Sequence, residues 1–346
     1  MISEPKNLLI VRTDRIGDVI LSLPLAGIVK KNFPQCRVSY LVRSYTEELV
    51  KRNPFIDEVI ILKEKNGKPT INENVKILKN KSFDSCVIVY PTFVTALIAF
   101  KAGIKKRVGS GYRWYSFLFN KKIYEHRKFA GRHELEFNVN LLRAFGIEEN
   151  ITPQNVNFNL QPDENSLQKV KEILAENKID LNKKTIIVHP GSGGSAVDLP
   201  QSKIAELVNK LNSLDNLNIF LTGSQSEFEM CEKVKGGTSA LNLAGKFSLP
   251  ELTALISMCT LFIANSTGPI HIAAALDKFT VGFYPKILAL SEGRWGPYST
   301  KKAVFEPEIN CSNCTREQCE KLDCMNSINI DTVFSKIENM LNSKEL

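Results

Sequence analysis

The sequence lacks any apolar run of the ~20 residues that a membrane-spanning helix requires. Its best candidate, residues 87–100, is interrupted by Pro91, Thr92 and Thr95. The amino-terminal residues lack the basic and apolar segments of a secretory signal, and there is no Lys/Arg-rich block of the kind found in nucleic-acid-binding tails. We therefore expect a cytoplasmic protein that does not span a membrane and does not bind nucleic acid.

The length and composition are those of a globular protein. The chain has 346 residues, which is enough for two domains. Hydrophobic residues make up 43% and charged residues 24%, so wholesale disorder is excluded. The 45 Lys and Arg exceed the 37 Asp and Glu, and the net charge of +8 favours anionic partners such as nucleotides, phosphorylated sugars or an anionic membrane surface.

Short β-branched segments alternate with amphipathic segments in both halves of the chain. In the first half we predict strands at 7–12, 37–42, 58–62 and 85–90, and helices at 17–31 and 44–52. In the second half we predict strands at 185–189, 217–222, 261–264 and 279–284, and helices at 167–178, 202–214, 227–234, 249–258 and 271–276. Strands that are apolar on both faces indicate parallel sheets covered by helices. A polar stretch near residue 160 separates the halves, so the pattern predicts two α/β domains.

The first strand runs into a turn in which Gly17 precedes Asp18 at the start of a helix. Gly17 allows close backbone approach, and the N–H groups of a helix start favour an anion. Spacing alone favours a first-turn or capping role for Asp18. The functional alternative is a general base, because ligands of such sheets bind at the carboxyl ends of the strands.

Two loops of the second half carry features of a phosphate site. Residues 189–196, HPGSGGSA, offer N–H and hydroxyl donors, but they lack the Lys-Ser/Thr ending of a P-loop and the spacing of a dinucleotide fingerprint. Residues 265–271, NSTGPIH, place hydroxyls at the beginning of a helix. A flexible connector and a capping histidine are the simpler interpretations of these loops. Their common position after strands favours binding of a diphosphate.

These motifs stand in the order and spacing of one family. The residues are 9–24 (LIVRTDRIGDVILSLP), the HPGSGGSA loop, LTGS at 221–224, NLAG at 242–245, STGPIHIAAAL at 266–276 and RWGP at 294–297. The chain resembles the ADP-heptose:lipopolysaccharide heptosyltransferases, glycosyltransferase family 9, over nearly its whole length. The resemblance implies the GT-B form of the α/β class, with two facing Rossmann-like domains and an interdomain cleft. It also implies metal-independent, inverting transfer with no cofactor.

The resemblance further implies a domain plan and a set of site residues. An acceptor domain would cover 1–160, a donor domain 161–330, and a helix in 331–346 would return to the first domain. Asp18 matches the catalytic base. The donor-binding positions are Gly191, Ser192, Glu227, Phe247, Ser266, Thr267, Gly268 and His271.

The sequence departs from the family pattern at two places. Many members carry Asp where this chain has Ser266, and many carry Lys where this chain reads Ala196-Val197-Asp198. A lost phosphate-facing cation weakens stabilisation of the leaving group unless another cation replaces it. The candidate replacements are Arg12, Arg15, Lys246 and Arg294.

A basic and aromatic stretch in the first half is the expected acceptor side. It contains Lys105, Lys106, Arg107, Tyr112, Arg113, Trp114, Tyr115, Lys121, Lys122, Arg127 and Arg132. The simple interpretation is a solvated face. The functional interpretation is recognition of carboxylates and phosphates on a membrane glycolipid, with Arg15, Lys105, Arg107 and Arg113 as acceptor-binding residues.

Four of the eight cysteines cluster late in the chain, at 311, 314, 319 and 324. Four thiolates at this spacing could close a structural zinc site. Reduced structural thiols are the favoured interpretation, and a disulfide is disfavoured in the cytoplasm.

We therefore predict a transferase that moves heptose from ADP-heptose to the lipopolysaccharide inner core, in peripheral contact with the cytoplasmic face of the inner membrane. Two alternatives stay open: a related transferase that uses another nucleotide sugar, and a non-catalytic nucleotide-sugar-binding protein.

Overall fold

The computed structural model describes residues 4–129, 131–309, 311 and 314–342. The chain divides into two compact units. The first comprises Met1–Arg127 and Glu134–Gln161, and the second comprises Lys128–His133 and Pro162–Leu346. The division after Gln161 lies beside the predicted boundary at residue 160, and the segment 128–133 departs from that simple plan.

The first unit is a parallel sheet with helices. Its strands are β1 Asn7–Val11, β2 Arg37–Val42, β3 Glu58–Ile61, β4 Glu64–Lys65, β5 Lys68–Pro69, β6 Ser85–Ile88, β7 Lys106–Ser110 and β8 Lys121–Ile123. Its helices are α1 Ile16–Ile20, α2 Pro24–Asn32, α3 Glu47–Val50, α4 Ile71–Asn80, α5 Phe93–Lys101 and α6 Glu134–Asn140. The main sheet has the order β3-β2-β1-β6-β7-β8 with every pair parallel, and β4 and β5 form a separate antiparallel hairpin.

The second unit repeats this plan. Its strands are β9 Lys184–His189, β10 Leu217–Leu221, β11 Leu241–Asn242, β12 Leu261–Asn265, β13 Phe279–Phe283 and β14 Lys302–Phe305. Its helices are α7 Glu164–Glu176, α8 Gln201–Asn212, α9 Phe228–Lys235, α10 Leu249–Met258, α11 Gly268–Ala275, α12 Glu292–Trp295, α13 Arg316–Lys321 and α14 Ile330–Asn342. The sheet order is β11-β10-β9-β12-β13-β14, again entirely parallel.

In each unit the first strand lies in the middle of the sheet and is apolar on both faces. Leu8, Leu9 and Ile10 of β1 are fully buried, as are Ile186 and Ile187 of β9. A strand covered on both faces must be apolar throughout, which is why the sequence pattern located these strands well. Since all strands are parallel, the loops after their carboxyl ends gather at one edge of each sheet.

The helix predicted at 17–31 is two helices. α1 ends at Ile20, and α2 begins at Pro24. Proline has no N–H to donate within a helix and is tolerated at its first turn, so the chain restarts there. The break turns the motif around Asp18 into a single short turn at the end of β1.

The carboxyl-terminal helix does not return to the first unit. α14 packs against α8, and its Val333 and Ile337 are fully buried in the core of the second unit. The expectation for residues 331–346 is therefore wrong for the part that the structure describes. Its apolar face completes the second unit's own core, while residues 343–346 lie outside the described residues.

None of the helices in the described ranges has the length and apolarity that a membrane crossing requires.

Candidate active site

A fully buried arginine organises the turn after β1. Arg12 Nε lies 2.9 Å from Asp14 Oδ1, and Arg12 Nη2 forms an ion pair with Asp18 Oδ1. The side chains of Asp14 and Asp18 are each 16% exposed, whereas that of Arg12 is 0% exposed. A buried arginine is normally paired, and here its charge fixes two carboxylates at the carboxyl end of the central strand.

Helix α6 completes the surroundings of Arg12. Glu134 Oε1 lies 3.7 Å from Arg12 Nη2 and also pairs with Arg127. Arg12 Nη1 donates to Asn138 Oδ1 at 3.5 Å, and the Asn138 amide donates to the Leu21 carbonyl at 3.0 Å. The Arg12 side chain is thus held from several sides.

The carboxylates around Arg12 repel one another. Burial, together with the charges of Asp18 and Glu134, raises the pKa of Asp14 to about 7, although Arg12 opposes this rise. The pKa of Arg12 is raised because the attraction of Asp14, Asp18 and Glu134 exceeds the opposing effect of its burial. Asp14 therefore changes its charge near neutral pH beside the predicted base.

Two of the predicted acceptor-binding residues lie at the amino edge of the sheet, opposite the edge that carries Asp18. Arg15 is exposed beside Asp18, and Arg113 follows the carboxyl end of β7. Lys105 and Arg107 lie at the amino end of β7, where Arg107 donates to the carbonyls of Ile104 and Leu118. They are not brought together with Asp18, because a parallel strand carries its two ends to opposite edges.

In the second unit the loops after β9 and β10 are joined by one carboxylate. Glu227 Oε2 accepts from the Ser224 N–H and hydroxyl, both at 2.7 Å. A Cβ on Gly191 would lie 1.9 Å from Glu227 Oε1, so only glycine permits this approach. The structure therefore brings the predicted donor residues Gly191 and Glu227 together.

The glycine-rich loop is also held from within. The Ser192 N–H and side chain both hydrogen-bond the Asp198 carboxyl, whose pKa is raised by burial. Arg316 of α13 donates to the carbonyls of Gly194, at 3.1 Å, and Ala196, at 2.9 Å. The Ser192 donors already have an internal acceptor, and Arg316 is a loop-holding cation that the motif analysis missed.

The end of β12 secures the same loop. Asn265 accepts from the Leu199 N–H at 2.8 Å and donates to the Pro190 carbonyl at 2.6 Å. The neighbouring Ser266 hydrogen-bonds the buried Tyr284 hydroxyl, which also donates to the Trp295 carbonyl at 3.1 Å. Ser266 is therefore tied to Tyr284, the residue that follows β13. Asn265, which sequence reasoning passed over, positions the loop.

Helix α11 begins directly at this point. Thr267 occupies its N-cap position without a capping hydrogen bond from its side chain, and Gly268 is its first residue. His271 is buried in the first turn. Because β9 and β12 are neighbours, this helix start lies beside the glycine-rich loop. Helix N–H groups and loop N–H groups at one edge form a typical anion site.

The remaining candidates are dispersed along the same edge. Phe247 is half-buried and Lys246 exposed in the loop that follows β11. The Arg294 guanidinium lies 5.1 Å from the Trp295 ring centroid. Arg12 is not a replacement phosphate cation, because its guanidinium is buried among the carboxylates of the first unit.

The late cysteines contact one another as thiols. Cys319 and Cys324 are buried and hydrogen-bond each other. Burial, and after it the interaction with Cys324, raises the pKa of Cys319 to about 12. Among the residues that the structure describes, no group of three or more His, Cys, Asp or Glu is arranged to hold a metal ion.

Two Rossmann-like units, each with its loops gathered at the carboxyl edge, define a GT-B fold. The family model "Glycosyltransferase family 9 (heptosyltransferase)" matches residues 72–324. A predicted glycosyltransferase of Haemophilus influenzae is 31% identical over 84% of this chain and 86% of its own length. Lipopolysaccharide heptosyltransferase 1 of Campylobacter coli is 26% identical over 80% of this chain and 82% of its own length.

A solved structure agrees with this assignment. The ADP-heptose lps heptosyltransferase II of E. coli superposes with a TM-score of 0.79, covering 98% of this chain and 100% of that one at 22% identity. The chain belongs to glycosyltransferase family 9. The family resemblance and the fold class predicted from the sequence are confirmed.

Proposed function

We propose that this glycosyltransferase moves a heptosyl residue from ADP-heptose to the inner core of lipopolysaccharide at the cytoplasmic face of the membrane. The observation that carries the proposal is the Asp18 carboxylate, held by the buried Arg12 at the carboxyl end of β1. The names of the Campylobacter coli and E. coli relatives supply the sugar and the acceptor.

Asp18 serves as the general base of an inverting transfer. It takes the proton of the acceptor hydroxyl as that oxygen forms a bond to the anomeric carbon. The bond from this carbon to the diphosphate breaks, and ADP leaves with the electron pair. Arg12 keeps the carboxylate oriented toward the acceptor, which is the positional part of general-base catalysis.

The carboxyl edge of the second unit receives the leaving ADP. The N–H groups of the glycine-rich loop and of the α11 start meet the growing negative charge, with Thr267, Gly268 and His271 closest to it. Glu227 and Phe247 hold the nucleoside. No metal ion is required in this scheme, and retention of activity in EDTA is its test.

A different donor is the second candidate, and the glycine-rich loop favours it. Where many family members carry a phosphate-facing Lys, this chain reads Ala196-Val197-Asp198, and the Asp198 carboxyl accepts from the Ser192 donors. The loss of that cation changes the charge that a nucleotide sugar meets at this loop. A donor with another nucleobase or sugar would still use Asp18 as the general base.

The first experiment is calorimetric titration with ADP, UDP, GDP and CDP. Selective binding of ADP, followed by transfer to heptose-deficient lipopolysaccharide, supports the proposal. Preference for another nucleotide supports the second candidate. Binding of a nucleotide sugar without any transfer would point instead to a non-catalytic binding protein.

The substitution Asp18→Asn tests the base. It keeps the size of the side chain and removes the proton acceptor, so we expect transfer to fall by roughly 10²–10⁴-fold. Nucleotide affinity is expected to stay within a few-fold of the parent, because Asp18 belongs to the first unit. Unchanged turnover would remove Asp18 from the mechanism.

A further inference from the structure

Acidic residues are missing from a long stretch of the first unit. Residues 85–124 contain no Asp or Glu but seven Lys and Arg, in a chain with 37 acids overall. The stretch covers β6, α5, β7 and β8, half of the main sheet. Local positive charge of this kind attracts an anionic surface.

Exposed aromatic side chains lie along the carboxyl edge of the same stretch. We call them the aromatic rim: Tyr90, Phe93, Tyr112, Trp114, Phe117 and Tyr124. Trp114 is 74% exposed, Phe117 68% and Tyr124 60%. A tryptophan that is 74% exposed contributes little to a core. Contiguous exposed apolar side chains mark interaction surfaces.

The rim is an ordered surface. Trp114 stacks on Phe93 with ring centroids 5.0 Å apart, and Tyr112 stacks on His126 at 3.9 Å. The buried Tyr115 donates its hydroxyl to the Pro91 carbonyl, which ties the loop after β7 to the loop after β6. The aromatic side chains are thus presented together, before any partner binds.

We infer that the aromatic rim and its neighbouring cations dock the chain onto a bilayer that contains anionic lipid. Aromatic rings settle at the level of the lipid headgroups, and Lys and Arg nearby pair with anionic headgroups. Within the described residues, Arg113, Lys121 and Lys122 form no ion pair, so their charges are available to lipid. Unpaired bases of a nucleic acid also stack on aromatic rings, so an RNA oligonucleotide is the competing probe in the tests below.

The rim lies at the same edge of the sheet as Asp18. β6, β7 and β8 follow β1 in the sheet order, and the rim follows their carboxyl ends. A membrane-borne acceptor would therefore be presented at the edge that carries the base. This last link rests on the proposed function, whereas lipid binding is measured without donor or acceptor, so that each can fail separately.

Fluorescence of Trp114 gives a direct test. The chain has two tryptophans, so Trp295→Phe leaves Trp114 as the only reporter. Adding vesicles with about one third anionic phospholipid is expected to shift the Trp114 emission to shorter wavelength, and brominated acyl chains are expected to quench it. Vesicles of phosphatidylcholine alone should give a weaker response. No shift and no quenching with the anionic vesicles would overturn the inference.

Matched variants separate the apolar from the charged contribution. In vesicle sedimentation, the pair Trp114→Ser and Phe117→Ser is expected to lower partitioning by about tenfold. The pair Lys121→Gln and Lys122→Gln is expected to lower it by roughly 20-fold at low salt. The controls are Leu181→Ser, an exposed leucine of the second unit, and the pair Lys76→Gln and Lys79→Gln on α4.

Two outcomes would contradict docking through the rim. Equal losses in the rim variants and in the controls would mean that attraction is spread over the whole surface. A Trp114 response to an RNA oligonucleotide as large as the response to vesicles would assign the surface to nucleic acid. Nucleotide binding by each variant verifies that its fold is intact.

Discussion

Arg12 shows how one residue defines the chemistry of the first unit. Its guanidinium has no exposure and is surrounded by Asp14, Asp18 and Glu134. The sequence alone leaves Arg12 as a candidate cation for phosphate. Nothing in the local spacing shows that Glu134 of α6, 122 residues later in the chain, lies beside it. Removing either the charge or its partners leaves buried charges uncompensated, which is why such clusters are sensitive to single changes.

Asp14→Asn is predicted to remove a loss of stability that the parent undergoes as the pH rises above neutrality. The pKa of Asp14 is raised in the folded state, to about 7, so the folded protein retains a proton that the unfolded chain has lost. The contribution of Asp14 to stability is present below the pKa that Asp14 has in the unfolded chain, and it is lost as the pH rises through 7. Asparagine cannot ionise, so the variant escapes this loss.

The measurement is denaturant unfolding of parent and variant at pH 5 and pH 8. The difference in the free energy of unfolding, variant minus parent, should be more positive at pH 8 than at pH 5 by about 2 kcal/mol. Glu73→Gln, an exposed carboxylate on α4, serves as the control and should show no such difference. Identical pH dependence in Asp14→Asn and the parent would contradict the prediction.

At the scale of single elements, the glycine-rich loop is ordered by residues outside its own motif. Asn265 holds it from β12, and Arg316 holds it from α13. Sequence motifs located the loop after β9, but Arg316 is more than 100 residues away and belongs to no recognised pattern. Its role depends on where α13 packs, which local residue types do not encode.

Arg316→Ala is therefore predicted to weaken nucleotide binding by about tenfold. The substitution removes two charge-assisted hydrogen bonds to the carbonyls of Gly194 and Ala196, so the loop must be ordered by the nucleotide itself. Calorimetry on the whole protein measures the change. Glu320→Gln is the control, because it breaks only the ion pair of Arg316 with Glu320 and leaves the loop contacts in place. Equal affinity for Arg316→Ala and the parent would show that the loop needs no support from α13.

The sequence pattern predicted the buried strands well and the peripheral ones poorly. β2 and α10 have the predicted bounds, because their apolar residues follow the expected period. β7 and β8 have the sequences KRVGS and KKI, a local pattern that indicates only a basic patch. Strands near the edge of a sheet carry charged side chains at their ends, and this conceals the strand period. Without the strand, the sequence does not show that Lys105 and Arg107 lie at the edge opposite Asp18.

At the scale of the whole molecule, the two units have the same sheet order and separate cores. α14 belongs to the core of the second unit, although resemblance assigned it to the first. A family pattern transfers the existence of a terminal helix more safely than its packing, since packing depends on which apolar face remains uncovered.

Ile337→Ala is predicted to destabilise the second unit selectively. Ile337 is fully buried, and truncation of such a side chain costs about 2–4 kcal/mol through lost burial and the cavity left behind. Hydrogen exchange measured by mass spectrometry should show faster exchange in β9 and β12 but unchanged exchange in β1 and β6. Lys336→Ala, an exposed neighbour on α14, should leave both sheets as they were. Faster exchange confined to the first sheet would restore the original assignment of the helix.

The segment 128–133 belongs to the second unit although it lies between two parts of the first unit in the chain. His133 lies in the second unit, where its Nε2–H donates to the Gly296 carbonyl at 2.8 Å and its ring lies 4.6 Å from Tyr298. Cutting the chain between Gln161 and Pro162 would thus leave this peptide on the first fragment. Two co-expressed fragments would behave as a complementation pair, with the second incomplete until the first arrives.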